Sequence, residues 1–213
     1  KKSSNIRQEL IDLTRDLVKI RSVNPPGSEA RAADYVEEYL DSLGIATVSV
    51  LLDGDPERRS VLGTIPGERE GSVVLCGHLD TVGVTEEHWS LPPFDGLIRD
   101  SRIYGRGTAD MKGGLAVMLC LARLIKESEV VPEKDLVLAF TADEEQGYGG
   151  ASSLVEEGLL DGAEFLVITE PTDGRVYLGE KGELWVEVTF SGKAAHGSTP
   201  GRGINAVLAG SDF

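Results

Sequence analysis

The chain has 213 residues, with 36 acidic against 21 basic side chains and a formal net charge of −15. Such a charge excludes the basic surface that nucleic-acid phosphates require, so no nucleic-acid partner is expected, while the length suffices for one sizeable core and part of a second. The most apolar run, residues 115–122, is far too short to span a bilayer, and Lys1-Lys2-Ser3-Ser4 leads into an amphipathic pattern, so a cytoplasmic protein without a membrane partner is expected.

Ile6, Leu10, Leu13, Leu17 and Ile20 recur at helical spacing and predict a helix over 5–20. Asn24-Pro25-Pro26-Gly27 breaks it. Ser28 is placed to cap a second helix that runs to Leu43, with Ala32, Val36, Leu40 and Leu43 on one face and Gly44 as its stop. Residues 47–52 and 60–65 read as strands around the turn-rich Asp53-Gly54-Asp55-Pro56. A short apolar strand at 72–76 leads into His78, and residues 83–106 are loop-like with a strand pair around 96–104. Residues 112–127 form a helix that is apolar on most of its surface. Then come a strand at 136–141, a short helix at 149–157 and a third apolar strand at 165–169.

Continuous apolar strands alternating with helices predict an α/β fold, with a mostly parallel central sheet covered on both faces. After Gly182 the pattern changes. Leu184, Val186, Val188 and Phe190 alternate with Trp185, Glu187 and Thr189, as in a half-buried antiparallel strand. A boundary near 179–182 assigns residues 1–181 to one domain and 182–213 to the beginning of a smaller α+β domain. Cys76 and Cys120 lie in apolar runs and read as small buried residues in a reducing compartment.

Sites in open α/β sheets form beyond the carboxyl ends of the strands. His78, Glu144, Glu145 and Glu170 all follow apolar strand cores, and Asp110 sits on a glycine-rich turn before a helix. A lone histidine after a strand is more often structural than a ligand; four termini converging on one point reverse that judgement. Imidazole nitrogen and carboxylate oxygen suit a divalent metal such as zinc, and cobalt and manganese fit the same donors. Asp80 can hold the second N–H of the His78 ring, or simply form a turn with Thr81. Asp110 can ligate, or cap the helix that follows. Glu144 and Glu145 repel one another unless a cation lies near; one can ligate while the other takes a proton from an activated water.

In order and spacing these motifs resemble the co-catalytic zinc exopeptidases and amidohydrolases, a family that includes acetylornithine deacetylase, succinyl-diaminopimelate desuccinylase, aminoacylase and glutamate carboxypeptidase. The stretches that carry the resemblance are Gly77-His78-Leu79-Asp80-Thr81-Val82, the loop from Trp89 to Phe94, Tyr104-Gly105-Arg106-Gly107 through Lys112-Gly113-Gly114, Ala142-Asp143-Glu144-Glu145, Thr169-Glu170-Pro171, and Gly192 through Pro200.

The resemblance implies two zinc ions, with His78 and Glu170 on the first, Glu145 on the second and the Asp110 carboxylate bridging both, and it implies a cis Asp110–Met111 peptide. It implies Glu144 as general base, Asp80 as the residue that orients His78, and His196 as an oxyanion-stabilising group that reaches a partner subunit's site in a homodimer. The implied reaction is hydrolysis of an amide bond in an N-acyl amino acid, with a dipeptidase or carboxypeptidase as the alternative. A non-catalytic metal-binding or oligomerisation module is the alternative of another class. In the family a returning segment supplies one more histidine to the second zinc. His88 matches no ligand motif, so these 213 residues alone are expected to hold at most one metal tightly and to be nearly inactive.

Overall fold

The computed structural model describes residues 2–128 and 130–213, with side chains from residue 6 onward. Two helices open the chain, α1 (Lys2–Lys19) and α2 (Ala30–Ser42), followed by the strands β1 (Thr47–Leu52), β2 (Asp55–Ile65) and β3 (Arg69–His78). A small hairpin, β4 (Leu97–Arg99) and β5 (Arg102–Tyr104), precedes α3 (Gly113–Ser128). β6 (Lys134–Thr141), α4 (Gly149–Glu156), β7 (Ala163–Ile168) and the short α5 (Ala206–Ser211) complete the order. The chain divides into two compact units, Lys1–Gly174 and Arg175–Phe213.

The main sheet has the order β1-β2-β6-β3-β7. β3 runs parallel to both β6 and β7, whereas β2 is antiparallel to β1 and to β6. Only β2 is therefore reversed, which agrees with the mostly parallel sheet expected. β6 explains why its sequence reads as one unbroken apolar run. Leu136, Leu138 and Phe140 face a core shared with Leu13 and Leu17 of α1, Val36 and Leu40 of α2, and Leu115 and Leu119 of α3. Val137 and Ala139 face the opposite side, with Val50, Val74 and Leu154 of α4. A strand buried on both faces has no polar side to show.

Several local expectations change. Ser28 does not cap α2: Glu29 occupies the cap position without a capping hydrogen bond, because its carboxylate goes to Arg58. β2 begins at Asp55 instead of 60, since the turn consists of Asp53 and Gly54 alone, both at positive φ. β7 is exposed along its whole length and paired on one side by β3, so the expected two-sided cover does not extend to it. Residues 184–190 form no strand. Leu184, Val186 and Val188 are exposed, and an alternating pattern without partner strands has nothing to pair with.

Candidate metal centre

Register sets the site. His78 ends β3 opposite Thr141, the last residue of β6, so Glu144 and Glu145 lie just beyond that strand end. Ile168 ends β7 opposite Cys76, and the Thr169 N–H donates to the Cys76 carbonyl at 3.0 Å, which brings Glu170 level with His78. Asp110 arrives from the turn before α3. Gly114, in the first turn of α3, lets the helix end approach β7: a Cβ there would lie 2.3 Å from the Thr169 carbonyl oxygen. The Asp110–Met111 peptide is cis, as the resemblance implies.

The His78 ring is the hub, with only 2% of its side chain exposed. Its Nδ1–H donates to the Asp80 carbonyl at 3.0 Å, which turns Nε2 toward the carboxylates. Asp110 Oδ1 lies 3.1 Å from Nε2, Glu170 Oε1 3.5 Å and Glu144 Oε2 3.8 Å. Donor atoms of His78, Asp110 and Glu170 lie within 4.8 Å of one another, and so do those of His78, Glu144 and Glu145. The backbone N–H of His78 donates to the Met111 sulfur at 3.1 Å, and Val82 N–H donates to Glu145 Oε1 at 3.2 Å.

These carboxylates share one imidazole. Burial alone would lower the His78 pKa, but hydrogen bonds to Asp110 and Asp80 and the fields of Asp80 and Glu144 push it up to about 11. Burial, together with Asp110 and Glu144, pushes Glu170 up to about 7 against the pull of His78. Glu144 and Glu145 are raised, first by burial and then by neighbouring carboxylates. Asp110 is lowered, chiefly by its hydrogen bond to His78. An imidazole hemmed in by carboxylates that repel one another is a donor set that fits a divalent cation. The Cys76 thiol is pushed up to about 11 by burial and stays protonated, so it offers no thiolate.

Asp80 differs from its expected role. Its carboxylate lies 3.5 Å from His78 Nδ1, farther than its own carbonyl. The carboxylate instead accepts from the backbone N–H of Glu144 at 3.2 Å and of Glu145 at 3.1 Å, and from Asn24 Nδ2 at 2.9 Å. Asp80 thus holds the glutamate turn through its side chain and the histidine through its main chain. His88 is exposed in a single turn, Glu86–His88. His196 lies in the second unit, exposed, with the Ser198 N–H donating to its Nδ1 at 3.2 Å.

Four residues near the site were given no role from the sequence, although Lys112 stands in one of the stretches that carry the resemblance. Lys112 is fully buried and donates to the Ile20 carbonyl at 2.6 Å, and burial drives its pKa down to about 7. Asn24, Glu29 and Arg58 surround Asp143. The only signal for them was Asn24-Pro25-Pro26-Gly27, read as a helix breaker; nothing marked Glu29 or Arg58.

Residues 74–200, well over half of the chain, match the family model for peptidase family M20/M25/M40. The chain belongs to this family. It is 34% identical over 201 residues to a probable succinyl-diaminopimelate desuccinylase of Staphylococcus aureus, covering 94% of this chain and 48% of that protein. Among solved structures, a tripeptidase from Staphylococcus aureus matches with a TM-score of 0.67 at 23% identity, over 96% of this chain and 55% of that one. A Bacillus subtilis protein described as a dinuclear metal-binding peptidase of the M20 family matches with a TM-score of 0.58 at 20% identity, over 78% of this chain and 43% of that one. These two likenesses establish the fold. The chain spans about half the length of the curated relatives it matches.

Proposed function

We propose that this chain carries the metal-holding side of an amide hydrolase acting on small N-acyl amino acids, in the manner of a desuccinylase or deacetylase. The observation that carries the reading is the placement of Asp110, Glu144 and Glu170 within 3.8 Å of one buried imidazole nitrogen. His78, Asp110 and Glu170 would hold the first metal ion; Asp110 and Glu145 would contribute to a second. Zinc suits these donors, as do cobalt and manganese. When bound, such an ion lowers the pKa of an attacking water to about 7 and polarises the scissile carbonyl.

The chain's own residues supply the rest. Glu144 is not required as a ligand, and its raised pKa suits a group that takes a proton from water and delivers it to the leaving amine. Asp80 fixes both the His78 tautomer and the Glu144–Glu145 turn. His196 is assigned to the oxyanion of the partner subunit's reaction in a homodimer, with residues 1–181 as catalytic domain and 182–213 as the start of a lid. The free thiols Cys76 and Cys120 support a reducing, cytoplasmic setting. Among the described residues no helix is long and apolar enough to cross a membrane.

The 34% identity to the probable desuccinylase favours an N-acyl amino acid over a peptide. A dipeptidase or carboxypeptidase is the second reading, supported by the peptidase titles of the structural neighbours. Metal analysis combined with hydrolysis of N-succinyl and N-acetyl amino acids against dipeptides tests the assignment. Preference for the acyl amino acids supports it, and cleavage of dipeptides alone transfers it to the second reading.

A further inference from the structure

Beyond the ligands, a buried charged cluster ties the start of the Glu144–Glu145 turn to the amino-terminal loop. Arg58, on β2, donates from Nη2 to Asp143 Oδ1 at 2.6 Å and to Glu29 Oε1 at 3.1 Å, and from Nε to Glu29 Oε2 at 3.3 Å. Glu29 is fully buried and also accepts the backbone N–H of Asp143 at 3.2 Å. Asn24 Nδ2 donates to Asp143 Oδ1 and to Asp80 Oδ2, both at 2.9 Å. Gly27 makes room for the guanidinium: a Cβ there would sit 2.1 Å from Arg58 Nε.

The loop is also stitched to the strand end that bears His78. Ser22 Oγ donates to the Leu79 carbonyl at 2.7 Å, Asn24 N–H to the Thr81 carbonyl at 2.9 Å, and Thr81 N–H to the Ser22 carbonyl at 2.9 Å. Asp143 sits at a φ of 64°, a left-handed conformation that a non-glycine residue adopts only when its surroundings hold it there. A buried ion pair is weak evidence for stability, because desolvation offsets its attraction. What this one does have is direction: the Asp143 carbonyl and Oδ2 accept from the N–H groups of Gly147, Tyr148 and Gly149 within its own turn, while Arg58, Glu29 and Asn24 tie the residue to the amino-terminal loop and, through Asn24, to Asp80.

We propose that Arg58, Glu29 and Asn24 are positioning residues that hold Asp143 in its left-handed turn and thereby aim Glu144 and Glu145 at His78. The metal part of this rests on the function proposed above; the positioning part does not. Two measurements on the full chain separate them. Amide hydrogen exchange of the metal-free protein reads the turn directly, through residues 143–150 against the strands β2, β3 and β6. Zinc titration reads the site.

Arg58→Lys keeps the charge but loses the fork, Arg58→Met loses both, and Asn24→Ala removes the link between the two aspartates. For Asn24→Ala and Arg58→Met, exchange at 143–150 accelerates about tenfold or more while the three strands stay protected. A second zinc, to which Glu145 would contribute, binds about 10–100-fold more weakly, while the ion at His78, Asp110 and Glu170 changes less. Arg58→Lys recovers part of both effects and serves where Arg58→Met does not fold. Unchanged exchange at 143–150 in a folded variant overturns the proposal, and so does equal acceleration across the strands, which marks a general strut. If the parent protein takes up no zinc, the functional reading fails while the exchange result still decides the positioning role.

Discussion

Asp110 Oδ1 lies 3.1 Å from Nε2 of His78, although the two residues come from different elements, a strand end and the turn that starts α3. The contact defines the site, because Glu144 and Glu170 approach the same nitrogen. In the metal-free protein the imidazole serves as the local cation. A metal ion held by His78, Asp110 and Glu170 would take over that role in place of the imidazole proton.

That exchange sets a pH dependence. With His78 held at about 11 and Glu170 at about 7, both groups carry protons over much of the neutral range. Ligation needs them deprotonated, so metal uptake releases protons and apparent affinity rises with pH, most steeply below about 7, where both protons are displaced, and on toward about 11, where only that of His78 is. Calorimetric titration of zinc in buffers of different ionisation enthalpy measures the release directly; an enthalpy independent of buffer contradicts it. The same His78 shift acts on the metal-free fold. A raised folded pKa gives stability that is fully present below about 6.5, the unfolded value, and is lost as pH rises toward about 11.

Glu144 and the ligands should separate by mutation. Glu144→Gln leaves zinc affinity within about tenfold, because the first site keeps His78, Asp110 and Glu170. Where hydrolysis is measured, the same change lowers kcat by about 10²–10⁴-fold. Asp110→Asn loses metal and turnover together. Equal metal loss in the two variants removes Glu144 from the role of base.

Lys112 offers a test of burial. Its folded pKa of about 7 lies below the ordinary lysine value, so the unfolded chain binds the extra proton above that pH. Relative to Lys112→Met, the parent protein therefore gains stability as pH rises from about 7 to about 10.5, and the slope is the diagnostic. The substitution also leaves the Ile20 carbonyl without its donor, which costs about 1–3 kcal/mol at every pH. Denaturant midpoints for the two proteins across that range settle it; a constant difference contradicts the buried, neutral lysine.

Much of this arrangement was legible in the residues. β6 announced a two-sided strand through an unbroken apolar run, and the acidic residues after the apolar strands marked the rim that holds His78, Glu144, Glu145 and Glu170. The expectations that failed were those that depend on contacts distant in sequence. Glu29 leaves the α2 cap for Arg58, and nothing local in either residue shows that pairing. Asp80 was placed beside His78 correctly, but its carboxylate serves the Glu144 and Glu145 amides, 64 and 65 residues away. The alternation of 184–190 describes a strand only when a neighbouring strand is there to pair with it.

His78, Asp110 and Glu170 are assigned together to one divalent metal ion. Equilibrium dialysis of zinc against the 213-residue polypeptide, its His78→Ala variant and its Glu170→Gln variant tests it most directly. One tightly held ion per parent chain is expected, lost with His78→Ala and weakened by about tenfold or more with Glu170→Gln. No tight zinc in the parent chain, or a site untouched by both substitutions, contradicts it.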